Sequence, residues 1–126
     1  MFENKRKNHL KSKLIIDQLF SIGKVITKHP FRLVYLTVKE PTFTGVQHLI
    51  SVPKRNFKLA VSRNKIRRKI SEVYRLNSSE LKDETRAKNV HVAIGIIYIG
   101  KKETEYAVVD QKLTAILHEL VLKIKA

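Results

Sequence analysis

Cysteine is absent from this chain of 126 residues, and glycine and proline are scarce. Without cysteine there is no disulfide, no thiolate zinc site and no cysteine nucleophile. The four glycines and three prolines are scattered, so the sequence offers neither a Gly-rich phosphate loop nor an evident linker between domains. The longest mostly apolar run covers residues 90–99, which is short of the roughly 18 residues of a membrane span. We therefore expect residues 1–126 to form one domain.

Acidic residues are also scarce, and their shortage leaves a large positive charge. There are 11 Asp+Glu against 26 Lys+Arg, a formal net charge of +15 at pH 7. The dispersed acids suggest no metal-dependent nuclease site, and His118–Leu122 lacks the second histidine of a zinc-protease helix. We therefore expect no catalytic residue and no metal site in the protein itself. Because 43% of the residues are hydrophobic, the chain can build a core, and its charge indicates a polyanionic partner.

The basic N-terminal segment has no apolar stretch of the kind that follows in a secretion signal. We therefore expect a cytoplasmic protein. Residues 1–9 are expected to form a basic, flexible arm. A cluster of five cations near this end is compatible with either a phosphate-binding arm or a solubilising terminus; it comprises Lys5, Arg6, Lys7, Lys11 and Lys13.

Hydrophobic periodicity predicts an alternation of helices and strands. The order is helix, two or three strands, helix, strand, helix, and it favours an α/β protein, more narrowly an α+β two-layer sandwich with helices packed on a central sheet. Residues 82–89 are polar and are expected to connect helix to strand. The predicted helices are Leu10–Ile22, Ala60–Leu76 and Tyr106–Ile124, and the predicted strands are Phe31–Val38, Val46–Val52 and Val90–Ile99.

The positive charge is concentrated in one segment. Between Lys54 and Lys69 there are eight basic residues and no acid. On the predicted helix they surround an apolar stripe, and like charges packed this closely repel one another unless an anion neutralises them. A charged run is often only a solvated helix face, but a single sign together with a net charge of +15 favours binding to phosphates. The candidate nucleic-acid-binding residues are Lys54, Arg55, Lys58, Arg63, Asn64, Lys65, Arg67, Arg68 and Lys69.

Three aromatic residues are candidates for stacking on single-stranded bases. They are Phe20 on the first helix and Phe31 and Tyr35 on the first predicted strand. Each could equally fill the core, since the chain has few aromatic residues to place there. Phe31 and Tyr35 share one face of the strand by alternation, and the register of the strand decides which face that is.

Residues 51–70, SVPKRNFKLAVSRNKIRRKI, resemble the signature of the protein subunit of bacterial ribonuclease P. That family shows Ser-Val-x-Lys, then Ala-Val-x-Arg-Asn, then a basic helix, and residues 51–54 and 60–64 match the first two parts. The first helix up to Gly23 is similar more weakly, and the later elements occur in the expected order. The resemblance covers nearly the whole chain, although only about twenty residues are diagnostic.

The resemblance implies a central sheet with an uncommon left-handed β-α-β crossover, against the usual right-handed rule. It also implies that the protein binds the catalytic RNA subunit through the basic helix and helps to hold the 5′ leader of precursor tRNA. The RNA, with magnesium as its cofactor, would then hydrolyse the phosphodiester bond. No tightly bound cofactor, membrane or obligate protein partner is implied. By position, residues 63–65, Arg67 and Arg68 match the RNA-contacting helix, with Lys54, Arg55 and Lys58 in the loop before it. Phe20 matches an aromatic of the leader cleft, and Phe31 and Tyr35 are expected to line this cleft with it.

Two departures from the family pattern stand out. Lys65 occupies a position where the family usually has arginine, so the charge is kept while the bidentate fork is lost. Ile16 aligns with a second aromatic of the first helix and cannot stack on a base in the same way.

Three other classes of protein share some of these features. A ribosomal or DNA-binding module would bind nucleic acid without stimulating cleavage of precursor tRNA. A membrane-surface protein would use the basic helix on anionic lipid, although the apolar stripe at residues 66–74 is needed for the core. A nuclease made of protein alone would act without RNA, and no acidic site supports it.

Overall fold

The computed structural model describes residues 10–38 and 45–126, and within them the chain forms four helices and four strands. The predicted helices at 60 and 106 and the strands at 31, 46 and 90 are confirmed to within one residue at each end. In chain order the elements are α1 (Lys13–Ile22), β1 (Lys24–Lys28), β2 (Phe31–Val38), β3 (Val46–Ser51), α2 (Ala60–Asn77), α3 (Ser79–Lys88), β4 (His91–Tyr98) and α4 (Tyr106–Lys125).

The four strands form one mixed sheet in the order β1-β2-β4-β3. Strand β2 is antiparallel to both β1 and β4, whereas β3 is parallel to β4. A parallel pair needs a crossover connection, and α2 and α3 supply it between β3 and β4. The α+β class, the central sheet and the β-α-β unit are thereby confirmed, and the left hand of the crossover stays a prediction.

One face of the sheet carries the main core. Because side chains alternate along a strand, Phe31, Leu33 and Tyr35 of β2 point to this face, together with Ile94 and Ile96 of β4. Helices α2, α3 and α4 cover it with side chains that are fully or almost fully buried. The helical contribution comes from Ile66, Ile70, Val73, Tyr74, Leu81, Val109, Leu113, Ile116, Leu117, Leu120 and Val121.

The opposite face of the sheet packs against α1 alone among the described helices. Ile15 and Leu19 of α1 join Val34 of β2 and Ala93 of β4 in a second, smaller cluster. Helix α1 begins at Lys13 because Ser12 caps it, accepting a hydrogen bond from the Ile15 N–H at 3.3 Å. The two-layer sandwich therefore describes the main core, and α1 adds a partial third layer on the other face.

Three local features differ from the sequence predictions. The polar connection expected at residues 82–89 belongs to α3, apart from Asn89, which is the C-cap of that helix. The amphipathic pattern of α3 is weak, because only Leu81 and Thr85 are buried on its inner face. Strand β1 has only one buried residue, Ile26, so alternation did not locate it. The first helix was predicted from Leu10, but Leu10 precedes α1 and donates its N–H to the His48 carbonyl at 2.9 Å.

Gly95 lets α1 approach the sheet closely, and we expect Gly95→Ala to lower the free energy of unfolding by about 1–3 kcal/mol through overpacking. A Cβ at Gly95 would lie 2.9 Å from Val34 Cγ2, 3.4 Å from Leu19 Cδ2 and 3.5 Å from Phe20 Cζ. Valine cannot readily rotate away, because β-branching restricts its χ1 angle. Urea denaturation measures the loss.

The matched control is Val34→Ala, which removes the atom that the new methyl group meets. The double variant should be destabilised by less than the sum of the two single variants, as expected for residues in contact. Unchanged stability of Gly95→Ala would contradict the packing of α1 described here.

Candidate nucleic-acid interface

Helix α2 carries most of the basic segment, and its amphipathic pattern explains how the charges face outward. Ile66, Ile70, Val73 and Tyr74 are buried along one stripe, as expected for positions i, i+4, i+7 and i+8 of a helix. Burial of this stripe against the sheet turns the remaining positions towards solvent. The helix begins at Ala60 without a side-chain cap and without an acidic residue in its first turn.

A groove of about 1050 Å³ runs between α2 and β3. Strand β3 lies at an edge of the sheet, and His48, Leu49 and Ile50 form its side of the groove. We call this feature the basic groove because cations dominate its other side. Its basic and amide lining residues are Lys11, Asn64, Lys65, Arg67, Arg68, Lys69 and Arg75.

The exposed cations of α2 have few internal partners. Arg67 Nη1 donates to Asn64 Oδ1 at 3.1 Å, and this amide oxygen carries no charge to neutralise it. Arg75 pairs with Glu72 at 2.9 Å, and the hydrogen bond and charge of Glu72 raise the pKa of Arg75. Within the part of the chain that the structure describes, no salt bridge joins an acid to Lys65, Arg67 or Arg68. These three charges are therefore available to an external anion.

Two of the predicted RNA-binding cations instead bond to the protein backbone. Arg63 Nη1 donates to the carbonyls of Phe57 and Lys58, at 2.7 and 2.9 Å. Lys69 Nζ donates to the Thr104 carbonyl at 2.8 Å, which ties α2 to the segment before α4. The spacing of Arg63 and Lys69 in the sequence does not distinguish these two internally bonded cations from their solvent-facing neighbours.

The loop between β3 and α2 presents Lys54, Arg55 and Lys58, all exposed. The Asn56 N–H donates to the Pro53 carbonyl at 3.2 Å and closes a turn. Phe57 is buried, with its ring centroid 5.8 Å from that of Tyr98. The loop is thus anchored in the core at one ring while its cations face solvent.

Three further cations lie at or near this surface, and one of them, Lys11, belongs to the N-terminal cluster considered above as a phosphate-binding arm. The basic groove is lined by Arg75, in the last turn of α2, and by Lys11, which only tertiary packing brings to α2. Exposed Lys102 follows β4, and its carbonyl accepts a hydrogen bond from the Tyr98 hydroxyl. Because Tyr98 also contacts Phe57, Lys102 lies near the loop between β3 and α2. In the sequence, only the Lys-Lys pair after Gly100 marks this position.

The three candidate aromatic residues do not share a surface. Phe20 is 49% exposed, and its ring lies over Gly95 on the α1 face of the sheet. Phe31 is fully buried and Tyr35 is 8% exposed, both in the core on the opposite face. Burial, followed by the charge of Glu119 on α4, raises the pKa of Tyr35. The prediction that Phe31 and Tyr35 line a leader cleft with Phe20 is wrong, because the strand register turns them to the helical layer.

Among the described residues, no group of three or more His, Cys, Asp and Glu side chains is placed to hold a metal ion. No helix among them is long and apolar enough to cross a membrane. The basic residues of 1–9 lie outside the described residues.

Fold and surface together define a class: an α+β protein that presents a cationic helix and groove and, on the α1 face of its sheet, an exposed aromatic ring. The Ribonuclease P family profile matches residues 4–121. The chain therefore belongs to the ribonuclease P protein family, whose members are the protein subunit of an endoribonuclease.

Similar proteins agree with this assignment. The ribonuclease P protein component of Chlorobium phaeobacteroides is 30% identical over 123 residues, covering 90% of this chain and 84% of that protein. The component of Porphyromonas gingivalis is 29% identical over 98 residues, covering 78% of this chain and 72% of that protein.

Solved structures share the fold. A mutant of the Staphylococcus aureus RNase P protein superposes with a TM-score of 0.75 at 20% identity, covering 94% of this chain and 92% of that one. The RNase P protein of Thermotoga maritima gives a TM-score of 0.68 at 19% identity, covering 88% and 96% of the two chains.

Proposed function

We propose that this protein binds the RNA subunit of ribonuclease P through α2, the basic groove and the loop before α2. The observation that carries the proposal is the outward row of Lys65, Arg67 and Arg68, which no acid neutralises among the described residues. Phosphates of a folded RNA would neutralise these charges and release the counterions bound to it. Membership of the ribonuclease P protein family indicates which RNA binds this surface, namely the RNA subunit of ribonuclease P.

We further propose that the α1 face of the sheet receives the 5′ leader of precursor tRNA. Phe20 is half-exposed there and offers a ring on which an unpaired base can stack. Val25, Arg32 and Ile97 point to the same face by strand alternation, and Val25 is 53% exposed. An aromatic ring, apolar side chains and one arginine together suit a single strand of RNA.

In this mechanism the protein supplies binding energy and the RNA performs the chemistry. Magnesium, the proposed cofactor, would serve the RNA, which hydrolyses the phosphodiester bond at the 5′ end of the mature tRNA. Contacts to the leader exist in the precursor and are lost in the product. The protein therefore raises affinity for the precursor over mature tRNA.

Reconstitution tests the proposal. The full chain is added to a ribonuclease P RNA and a precursor tRNA at low magnesium, and we expect correct cleavage that is slow or absent without protein. RNA binding without stimulated cleavage would instead indicate a general nucleic-acid-binding module. Cleavage by the protein alone would indicate a nuclease and contradict the proposal.

Arg68→Ala should weaken binding to the RNA subunit and flatten the plot of log affinity against log salt by about one unit, the value for one lost phosphate contact. Arg68 is exposed on α2 and lines the basic groove. Binding titrations over a range of salt concentrations measure the slope.

Arg86→Ala is the matched control. Arg86 is an exposed arginine on α3, where it pairs with Asp83 at 3.5 Å, and it does not line the basic groove. Its removal should leave the slope unchanged. Equal salt slopes for Arg68→Ala and the wild type would show that Arg68 makes no contact with RNA phosphates.

A further inference from the structure

Arg63 differs from the other cations of α2 because its guanidinium is turned back towards the preceding loop. A single nitrogen, Nη1, donates to two consecutive carbonyls, those of Phe57 and Lys58, at 2.7 and 2.9 Å. Hydrogen bonds with an ionised donor are shorter and stronger than neutral ones. Arg68, by contrast, has an exposed side chain on the open surface of the helix.

The loop that Arg63 holds carries three cations with the same sign. Lys54, Arg55 and Lys58 are exposed, and their mutual repulsion opposes a tight turn. On the core side, Phe57 anchors the loop, since its ring is buried next to that of Tyr98. The two carbonyls bonded to Arg63 belong to Phe57 and Lys58, so the same short stretch is fixed from the helix side as well.

We propose that Arg63 is a positioning residue, which binds the loop between β3 and α2 so that Lys54, Arg55 and Lys58 meet the RNA as one preformed surface. This inference rests on the proposed RNA-binding function and refines it. Arg63 then acts on RNA through the loop, whereas Arg67 and Arg68 act through their own charges. Holding the cations in place before binding avoids the entropy cost of ordering them in the complex.

A double-mutant cycle on the full chain tests this inference, with titrations against ribonuclease P RNA at several salt concentrations. The variants are Arg63→Ala, the loop variant K54A/R55A/K58A and their combination. We expect Arg63→Ala to flatten the salt slope by more than the roughly one unit of a single contact. In the loop variant, Arg63→Ala should change affinity by less than about twofold, because residues acting as one unit are not additive.

Hydrogen exchange in the free protein gives a readout that needs no RNA. Arg63→Ala should speed exchange of the loop amides at residues 54–59, whereas Arg68→Ala should leave them unchanged. Arg63→Met, which keeps the aliphatic stem and removes the donors, serves as the second variant if the alanine variant folds poorly. Circular dichroism confirms that each variant is folded.

The outcomes separate this inference from the proposed function. Additive effects of Arg63→Ala and the loop variant would overturn the positioning role and make Arg63 a direct RNA contact, while the proposed function would stand. Unchanged loop exchange in Arg63→Ala would also overturn it. Wild-type binding by both the loop variant and Arg68→Ala would instead overturn the proposed RNA interface.

Discussion

Phe31→Ala should lower the free energy of unfolding by about 3–5 kcal/mol, the usual cost of emptying a buried phenylalanine site. Phe31 is fully buried and meets Tyr98 edge to face, with ring centroids 5.6 Å apart and an interplanar angle of 70°. Since small domains are stable by about 5–15 kcal/mol, this one change would remove a large part of the total. Urea denaturation followed by circular dichroism measures it.

Phe31→Leu is the control for size. Leucine keeps the site apolar and fills most of its volume, so it should cost much less than alanine. A folded Phe31→Ala protein with wild-type stability and weakened leader binding would contradict the buried position of Phe31. It would indicate instead that this ring contacts the 5′ leader.

Phe20→Ala should weaken binding of precursor tRNA by the assembled holoenzyme by about 5- to 150-fold, the equivalent of about 1–3 kcal/mol for one stacked base. Because mature tRNA has no leader, its affinity should stay near that of the wild type. Phe20 is 49% exposed, so truncation should cost the fold far less than at Phe31. Equilibrium binding of the two tRNA forms to wild-type and variant holoenzyme measures the difference.

Two variants sharpen this test. Leu14→Ala removes another exposed apolar side chain of α1, 68% exposed, and should leave the affinity for precursor unchanged. Phe20→Tyr keeps the aromatic ring and should bind the leader nearly as well as the wild type. An equal loss of affinity for precursor and mature tRNA in Phe20→Ala would place the effect outside the leader.

These two aromatic residues were equivalent in the sequence and are opposite in the structure. Both lie in amphipathic elements near the start of the chain, and either could stack on a base or fill the core. The antiparallel pairing of Phe31 with Tyr98 turns Phe31 to the helical layer, whereas Phe20 lies over Gly95 on the other face. A selective effect on leader binding is therefore expected from one ring and a stability effect from the other.

The basic interface shows a similar division. The helical period of the apolar residues and the single sign of the charges were enough to identify the cations of residues 54–69. Helical spacing is a local property, and it determines which stripe is buried and therefore which face points outward. The direction of each side chain depends on neighbours distant along the chain. Lys69 reaches Thr104, and Lys11 joins the groove from the segment before α1.

The sequence by itself determined the α+β class, the bounds of the strongly periodic elements and the location of the charge, since each depends on residues close together in the chain. It also carried the family signature at residues 51–70. Only the tertiary structure decided the strand order, the placement of α1 opposite the other helices and the separation of Phe31 from Phe20. These features depend on which surfaces pack together, because burial of apolar area and strand register are settled between distant segments. The weakly amphipathic α3 and the edge strand β1 are stabilised by the same packing, and their local patterns were too faint to predict them.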